Sequence, residues 1–110
     1  MPNVFLGTDS AAHSLKHKEG AGCCAGCLTA NTPEMLVQLF EEWDILHYLR
    51  EFTSENMARF YGLESMPGMP KVHFRREEWE VPKEIDIPGF DTIIPFLAGQ
   101  KLRWKFDGVR

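Results

Sequence analysis

The sequence predicts an α/β fold in which one buried strand feeds a run of helices and a small antiparallel tail. Three observations carry this expectation. Val4-Phe5-Leu6 is an unbroken apolar run that stops at Gly7 and a polar turn, the pattern of a strand covered on both faces. Residues 32–61 place apolar side chains at helical spacing. Residues 71–106 change to short alternating segments set between proline and glycine turns, as the strands of a small sheet do.

The opening strand runs out at Gly7-Thr8-Asp9. Glycine lets the backbone bend where a strand ends. An ionisable group at the end of a fully buried strand is where an α/β barrel keeps its chemistry. Asp9 is therefore the first candidate, against the alternative of an aspartate that caps a loop. His13 follows, opening a basic surface stretch to Lys18, and then Glu19 to Ala30 form a loop rich in small residues. Small residues allow backbone N–H groups to approach a bound anion.

Thr32-Pro33-Glu34 predicts a helix start, with Thr32 as cap, Pro33 at the first helical position and Glu34 near the positive end of the dipole. Met35, Leu36, Leu39, Phe40 and Trp43 form its apolar face, leaving Gln38, Glu41 and Glu42 on the other side. Ile45, Leu46, Leu49 and Phe52 continue as a second helix after a kink near Asp44. Ser54 is placed to cap a short third helix, which Gly62 ends as a left-handed stop.

Ser65 to Pro70 is a connector rich in turn residues. Val72 and Phe74 then alternate with His73 and Arg75, and Trp79 and Val81 extend the strand or begin another. Turns are expected at Pro88-Gly89 and Gly99-Gln100, before the alternating run Leu102 to Phe106. The expected division is 1–64, with the strand, its loop and the helices, and 65–110, a small β-rich extension.

Composition narrows the function. The net charge is −4 and the densest basic spot is Arg75-Arg76, which argues against a nucleic-acid surface. No apolar stretch approaches the roughly 18 residues of a membrane span. Cys23, Cys24 and Cys27 are an odd number of thiols packed together, so they do not read as a disulfide framework, and free thiols suit a reducing cytoplasm. With His13 and His17 they invite a structural zinc reading. Such a site normally takes two ligand pairs a dozen or so residues apart, and these pairs lie closer, so whether the loop binds metal stays open.

The run GTDSAAH from Gly7 to His13, followed by His17-Lys18-Glu19 and by CAGC at Cys24 to Cys27, resembles the last barrel strand and following loop of the class II dihydroorotases of the amidohydrolase superfamily. Glu41-Glu42, Phe60-Tyr61-Gly62-Leu63, Ile94 to Gly99 and Arg103-Trp104 fall in the family's order, with the match weakest from Met66 to Asp91. Thr53 to Leu63 resembles the final helix of that superfamily, which packs beneath the last strand. Two departures stand out: Ala12, and the pair Asn56-Met57, occupy regions where the family usually carries proline.

The resemblance implies the C-terminal segment of a metallo-dependent hydrolase TIM (β/α)₈ barrel, a fold of about 250 residues, followed by the antiparallel tail. It also implies a zinc-dependent cyclic amidohydrolase that interconverts N-carbamoyl-L-aspartate and dihydroorotate in pyrimidine biosynthesis. By the same resemblance Asp9 is a metal ligand and the proton carrier, while His13 and the backbone of Ala25 hold the substrate's free carboxylate. The family's His-x-His, bridging lysine and further histidines cannot be mapped here, so activity is expected to need a missing N-terminal portion. That portion, the small-molecule substrate and a homo-oligomer are the expected partners. The rival readings are a non-catalytic remnant or binding module that pairs with another chain, and a structural zinc protein built on the cysteine loop.

Overall fold

A computed structural model of the chain describes residues 2–14, 29–63 and 68–110. Ala25, His17 and the three cysteines lie outside the described residues. The element order is helix α1 (Thr32–Glu42), a 3₁₀ turn (Leu46–Tyr48), a π-helical stretch (Glu51–Glu55), helix α2 (Asn56–Phe60) and the strands β1 (Val72–Glu80) and β2 (Lys101–Val109).

Helix α1 starts one residue earlier than its sequence suggests. Asn31 is the N-cap and makes no side-chain cap bond. Thr32 is already helical, and its buried hydroxyl donates backwards to the Thr29 carbonyl at 2.6 Å. Proline still sits in the first turn, where its missing N–H costs nothing. Leu36, Val37 and Phe40 are buried. Trp43, expected on the same face, is 62% exposed.

The kink near Asp44 has a definite cause. Asp44 adopts the left-handed conformation, φ 57°, and the Asp44 and Ile45 amides donate back to the Glu41 and Phe40 carbonyls at 3.0 and 2.9 Å. This is a Schellman stop with aspartate in the place usually held by glycine. The same motif ends α2, where Gly62 has φ 70° and the Gly62 and Leu63 amides donate to Arg59 and Ala58. Ser54 is not a cap; it lies inside the π-helical stretch that runs directly into α2. The expected second and third helices are thus joined, because the backbone widens there instead of breaking.

β1 and β2 pair antiparallel, with Phe74 opposite Phe106, Arg76 opposite Trp104 and Glu80 opposite Lys101. Register shifts fall between Val72 and Phe74 and between Arg76 and Trp79, and such irregularities increase the local twist. The two long strands confirm the alternating tail, and Trp79 belongs to the same strand as Val72. Between them the chain doubles back. Val81 donates to Gln100, Gly99 donates to Val81, and Ile85 and Ile93 exchange both backbone bonds at 2.7 and 2.9 Å. Val81, Ile93 and Leu102 are buried here.

Helix α1 packs against β2, and its polar residues hold that contact. Gln38 accepts the Arg103 amide at 2.7 Å, Glu42 pairs with the Arg103 guanidinium at 2.7 Å, and Glu41 takes Arg76 through both oxygens at 3.2 and 2.6 Å. The Arg76 guanidinium also lies 4.5 Å over the Trp104 ring. The polar side of the helix is therefore a second interface. The Arg76 hydrogen bond holds the Glu41 carboxyl below its ordinary range, and Glu41 in turn raises Arg76.

Val4-Phe5-Leu6 does not form the predicted strand. The Leu6 amide donates to the Phe52 carbonyl of the helical arm, Val4 is exposed, and Phe5 and Leu6 are half-buried. A strand exists only with a neighbour to share its ladder, and none pairs with these residues among those described. The chain's radius of gyration is 16.4 Å, against about 13 Å for a compact domain of this length. No described helix is long and apolar enough to cross a membrane.

Candidate functional site

Residues 4–14 form an arc held at both ends and exposed in the middle. At its start the buried Asn56 amide donates to the Val4 carbonyl at 2.8 Å. Arg59 fixes that side chain by donating to its Oδ1 at 3.1 Å. The π-helical stretch explains the neighbouring bond. The Asn56 amide reaches back five residues to Glu51, which releases the Phe52 carbonyl from its usual partner four residues on and lets it accept the Leu6 amide at 3.0 Å. Phe5 packs against Phe60 and Tyr61, with ring centroids 5.7 and 6.4 Å away. The helix thus lies beneath residues 4–6, as the family resemblance implied.

At the far end Ser14 is buried and forms an isolated antiparallel bridge with Ile93. Gly7, Thr8, Asp9 and Ser10 between them are exposed. Asp9 adopts a left-handed backbone, φ 48°, a region that aspartate enters more readily than most residues and that often marks functional turns. Its carboxylate stands in solvent. Ser10 accepts the Thr29 amide through its hydroxyl at 3.1 Å, which ties the residue after Asp9 to the approach to α1.

His13 is half-buried, and its Nδ1 lies 2.9 Å from the Ala11 carbonyl. A carbonyl only accepts, so Nδ1 carries the proton in that bond. Asp9 and His13 thus share one short arc with fixed ends. Ala25 lies outside the described residues. Among the described residues no group of three histidine, cysteine, aspartate or glutamate side chains is placed to hold a metal ion. Asp9 can supply one ligand of such a site, not the site.

Sequence reasoning passed over Asn56, Ser10 and Ile93, which hold the arc. Asn56 stands 52 positions from the carbonyl it binds, so no local pattern points to it. Its one signal was the departure from proline at that part of the helix. Beside the arc, Val4, Phe40, Ile45, Tyr48 and Phe52 line an open, mainly apolar groove.

No family model matches the chain. Curated relatives do. The chain is 44% identical over 105 residues to a dihydroorotase of Marinomonas sp., covering 94% of this chain and 30% of the relative. It is 45% identical over 101 residues to a dihydroorotase of Pseudoalteromonas atlantica, covering 91% and 29%. Among solved structures it superposes on the Saccharomyces cerevisiae dihydroorotase in complex with 5-fluoroorotic acid with a TM-score of 0.85 at 33% identity, covering all of this chain and 30% of that one. The Campylobacter jejuni dihydroorotase gives a TM-score of 0.78 at 25% identity, covering 97% and 30%. The chain spans about 30% of the length of the curated relatives it matches. Its mixture of helices with a two-stranded antiparallel sheet is that of the corresponding part of those enzymes, and over nearly all of its length the chain is similar to the C-terminal part of dihydroorotases.

Proposed function

We propose that this chain is the C-terminal portion of a zinc-dependent dihydroorotase, a TIM-barrel cyclic amidohydrolase that interconverts N-carbamoyl-L-aspartate and dihydroorotate. The observation that carries the reading is the 44% identity maintained over 94% of the chain. Residues 1–64 then supply the last barrel strand, its active-site loop and the closing helices, and 65–110 the β extension. Val4 to Leu6 become a true strand when barrel neighbours flank them. Those neighbours also cover the exposed Phe60 and Tyr61, and this accounts for the apolar surface that otherwise favours a binding module. The compartment is the cytoplasm, and a homo-oligomer of the completed enzyme fits the same reading.

In the hydrolytic direction water adds across a ring amide, its hydroxyl bonding to the carbonyl carbon as the carbon–nitrogen bond breaks. The remaining proton must reach the departing nitrogen. Asp9, exposed on a left-handed turn, accepts the proton from the attacking water and delivers it to that nitrogen, and cyclisation runs the same transfer backwards. Bound zinc would supply Lewis-acid activation, with Asp9 as one ligand and the others from outside the described residues. His13, its ring oriented by the contact of Nδ1 with the Ala11 carbonyl, meets the substrate carboxylate. The backbone of Ala25 assists.

The test is to fuse this chain behind the preceding part of the Marinomonas sp. dihydroorotase and follow conversion of N-carbamoyl-L-aspartate. The fusion is expected to turn over, and Asp9→Ala to lower kcat by about 10²-fold or more, the scale of lost general acid–base catalysis. Unchanged turnover in Asp9→Ala contradicts the assignment of Asp9.

A further inference from the structure

Among the described residues the β extension meets the candidate site at Ser14, next to His13. Ile93 is 3% exposed and sits in the middle of a three-segment array, pairing with Ile85 on one side and with Ser14 on the other. Ser14 is 4% exposed, although the arc before it is largely open to solvent. The Ile85–Ile93 segment is braced from within. The Phe90 amide donates to Ile87 at 2.9 Å, and Thr92 donates its hydroxyl to Asp86 and its amide to the Asp91 side chain, both at 2.9 Å.

That brace is itself attached. Val81 links to Gln100 and Gly99 at the foot of the hairpin, and the hairpin is clasped to α1 by Arg76–Glu41 and Arg103–Glu42. A continuous line of bonded elements therefore runs from α1 through the hairpin to Ser14. It does not pass through the helical arm that holds Val4 and Leu6. The arc is held by the helical arm at Val4 and Leu6, by Thr29 at Ser10 and by Ile93 at Ser14, and His13 adjoins the last of these.

We infer that Ile93 is a positioning residue for substrate binding, its bridge to Ser14 fixing the turn that presents His13, so that the extension sets affinity for the substrate carboxylate. This rests on the dihydroorotase reading. Asp9 adjoins Ser10, which the Thr29 amide holds, so loosening Ile93 acts on binding more than on the proton transfer. Loss of an interaction made equally in ground and transition states raises KM and leaves kcat unchanged.

The experiment uses the fusion described above and compares Ile93→Ala, Ile93→Val and Val81→Ala. Val81 is fully buried in the same extension but does not itself pair with Ser14, so its truncation lowers stability while the Ile93–Ser14 bridge, the last link of that line, stays in place. Ile93→Ala is expected to raise KM for N-carbamoyl-L-aspartate roughly ten-fold, well inside the roughly 10²-fold cost that a 1 Å misplacement can carry, with kcat changed less than about two-fold. Amide exchange at His13 and Ser14 should quicken in that variant alone. Ile93→Val should restore the parent KM, and Val81→Ala should lower the melting temperature with KM unchanged. An Ile93→Ala protein with the parent KM, or a Val81→Ala protein with an equal rise, overturns the inference while leaving the dihydroorotase reading intact. A folded fusion with no dihydroorotase turnover overturns the reading on which it rests.

Discussion

In the hairpin, Leu102 is buried, the Trp79 indole donates to the Trp104 carbonyl, and Arg76 covers the Trp104 ring. Along α2, by contrast, Phe60 and Tyr61 stack on each other with centroids 4.9 Å apart and yet remain 70% and 62% exposed. Both regions are rich in aromatic residues, and they differ in where the covering surface comes from. The extension finds its partners within the chain, across the two strands and on α1. The helical part leaves apolar residues exposed, which on the proposed reading meet the rest of a dihydroorotase. A region that closes on itself is expected to tolerate isolation, and a region that does not is where association and catalysis are assembled.

Asp9→Ala in the fused enzyme is the largest expected effect and falls in the open region. Next is Leu102→Ala, which empties part of the closed core and should cost about 2–5 kcal/mol, read as a lower denaturation midpoint at unchanged KM. Asn56→Ala comes third. It leaves the Val4 carbonyl without its donor, should cost about 1–3 kcal/mol, and should raise the exchange rate of the Leu6 amide. A variant in which Asn56→Ala leaves both unchanged would show that the arc is not held from the helix.

The clasp between the two regions adds a pH dependence. Glu41 has its carboxyl lowered from 4.5 by the Arg76 hydrogen bond. Its contribution is therefore complete above the unfolded value and is lost as pH falls through the lower folded value. The melting temperature of the parent should drop more steeply below about pH 4.5 than that of Arg76→Met, whose Glu41 lacks that partner. Parallel acid profiles for the two proteins would remove Glu41–Arg76 as the clasp. Glu42 and Arg103 make a second exposed pair, so the difference is expected to be small.

Much of this was legible from local pattern. Alternation at Val72–Phe74 and at Leu102–Phe106 marks strands that do form, and the apolar spacing of Leu36 and Phe40 marks a face that is buried. Gly62 ends its helix as its residue type suggests. Val4-Phe5-Leu6 misled because an apolar run reports burial and not its source: among the described residues no strand pairs with it, and on the proposed reading its neighbours belong to the rest of a dihydroorotase. Thr32 and Ser54 misled because a hydroxyl near a helix start can donate to a preceding carbonyl, as Thr32 does, or lie within a widened turn, as Ser54 does. Glu41 and Glu42 were placed on the polar side of the helix, but their arginine partners lie 35 and 61 residues away, beyond what a local pattern shows. Asp9 was singled out by its place at the end of an apolar run and His13 through family resemblance alone, since a lone histidine is not distinctive by type or spacing.

The most direct measurement mixes the separately purified 110-residue chain with the preceding part of the Marinomonas sp. dihydroorotase and follows both association and turnover. The account predicts that neither piece is active alone, that the two form a complex protecting the amides of α2 and of Val4 to Leu6 from exchange, and that the complex interconverts N-carbamoyl-L-aspartate and dihydroorotate only when Asp9 is intact. A complex that protects these amides yet turns over equally well with Asp9→Ala would contradict the catalytic assignment. Pieces that remain apart, with the aromatic face of α2 as exposed as before, would contradict the central claim that this face is completed by the rest of a dihydroorotase.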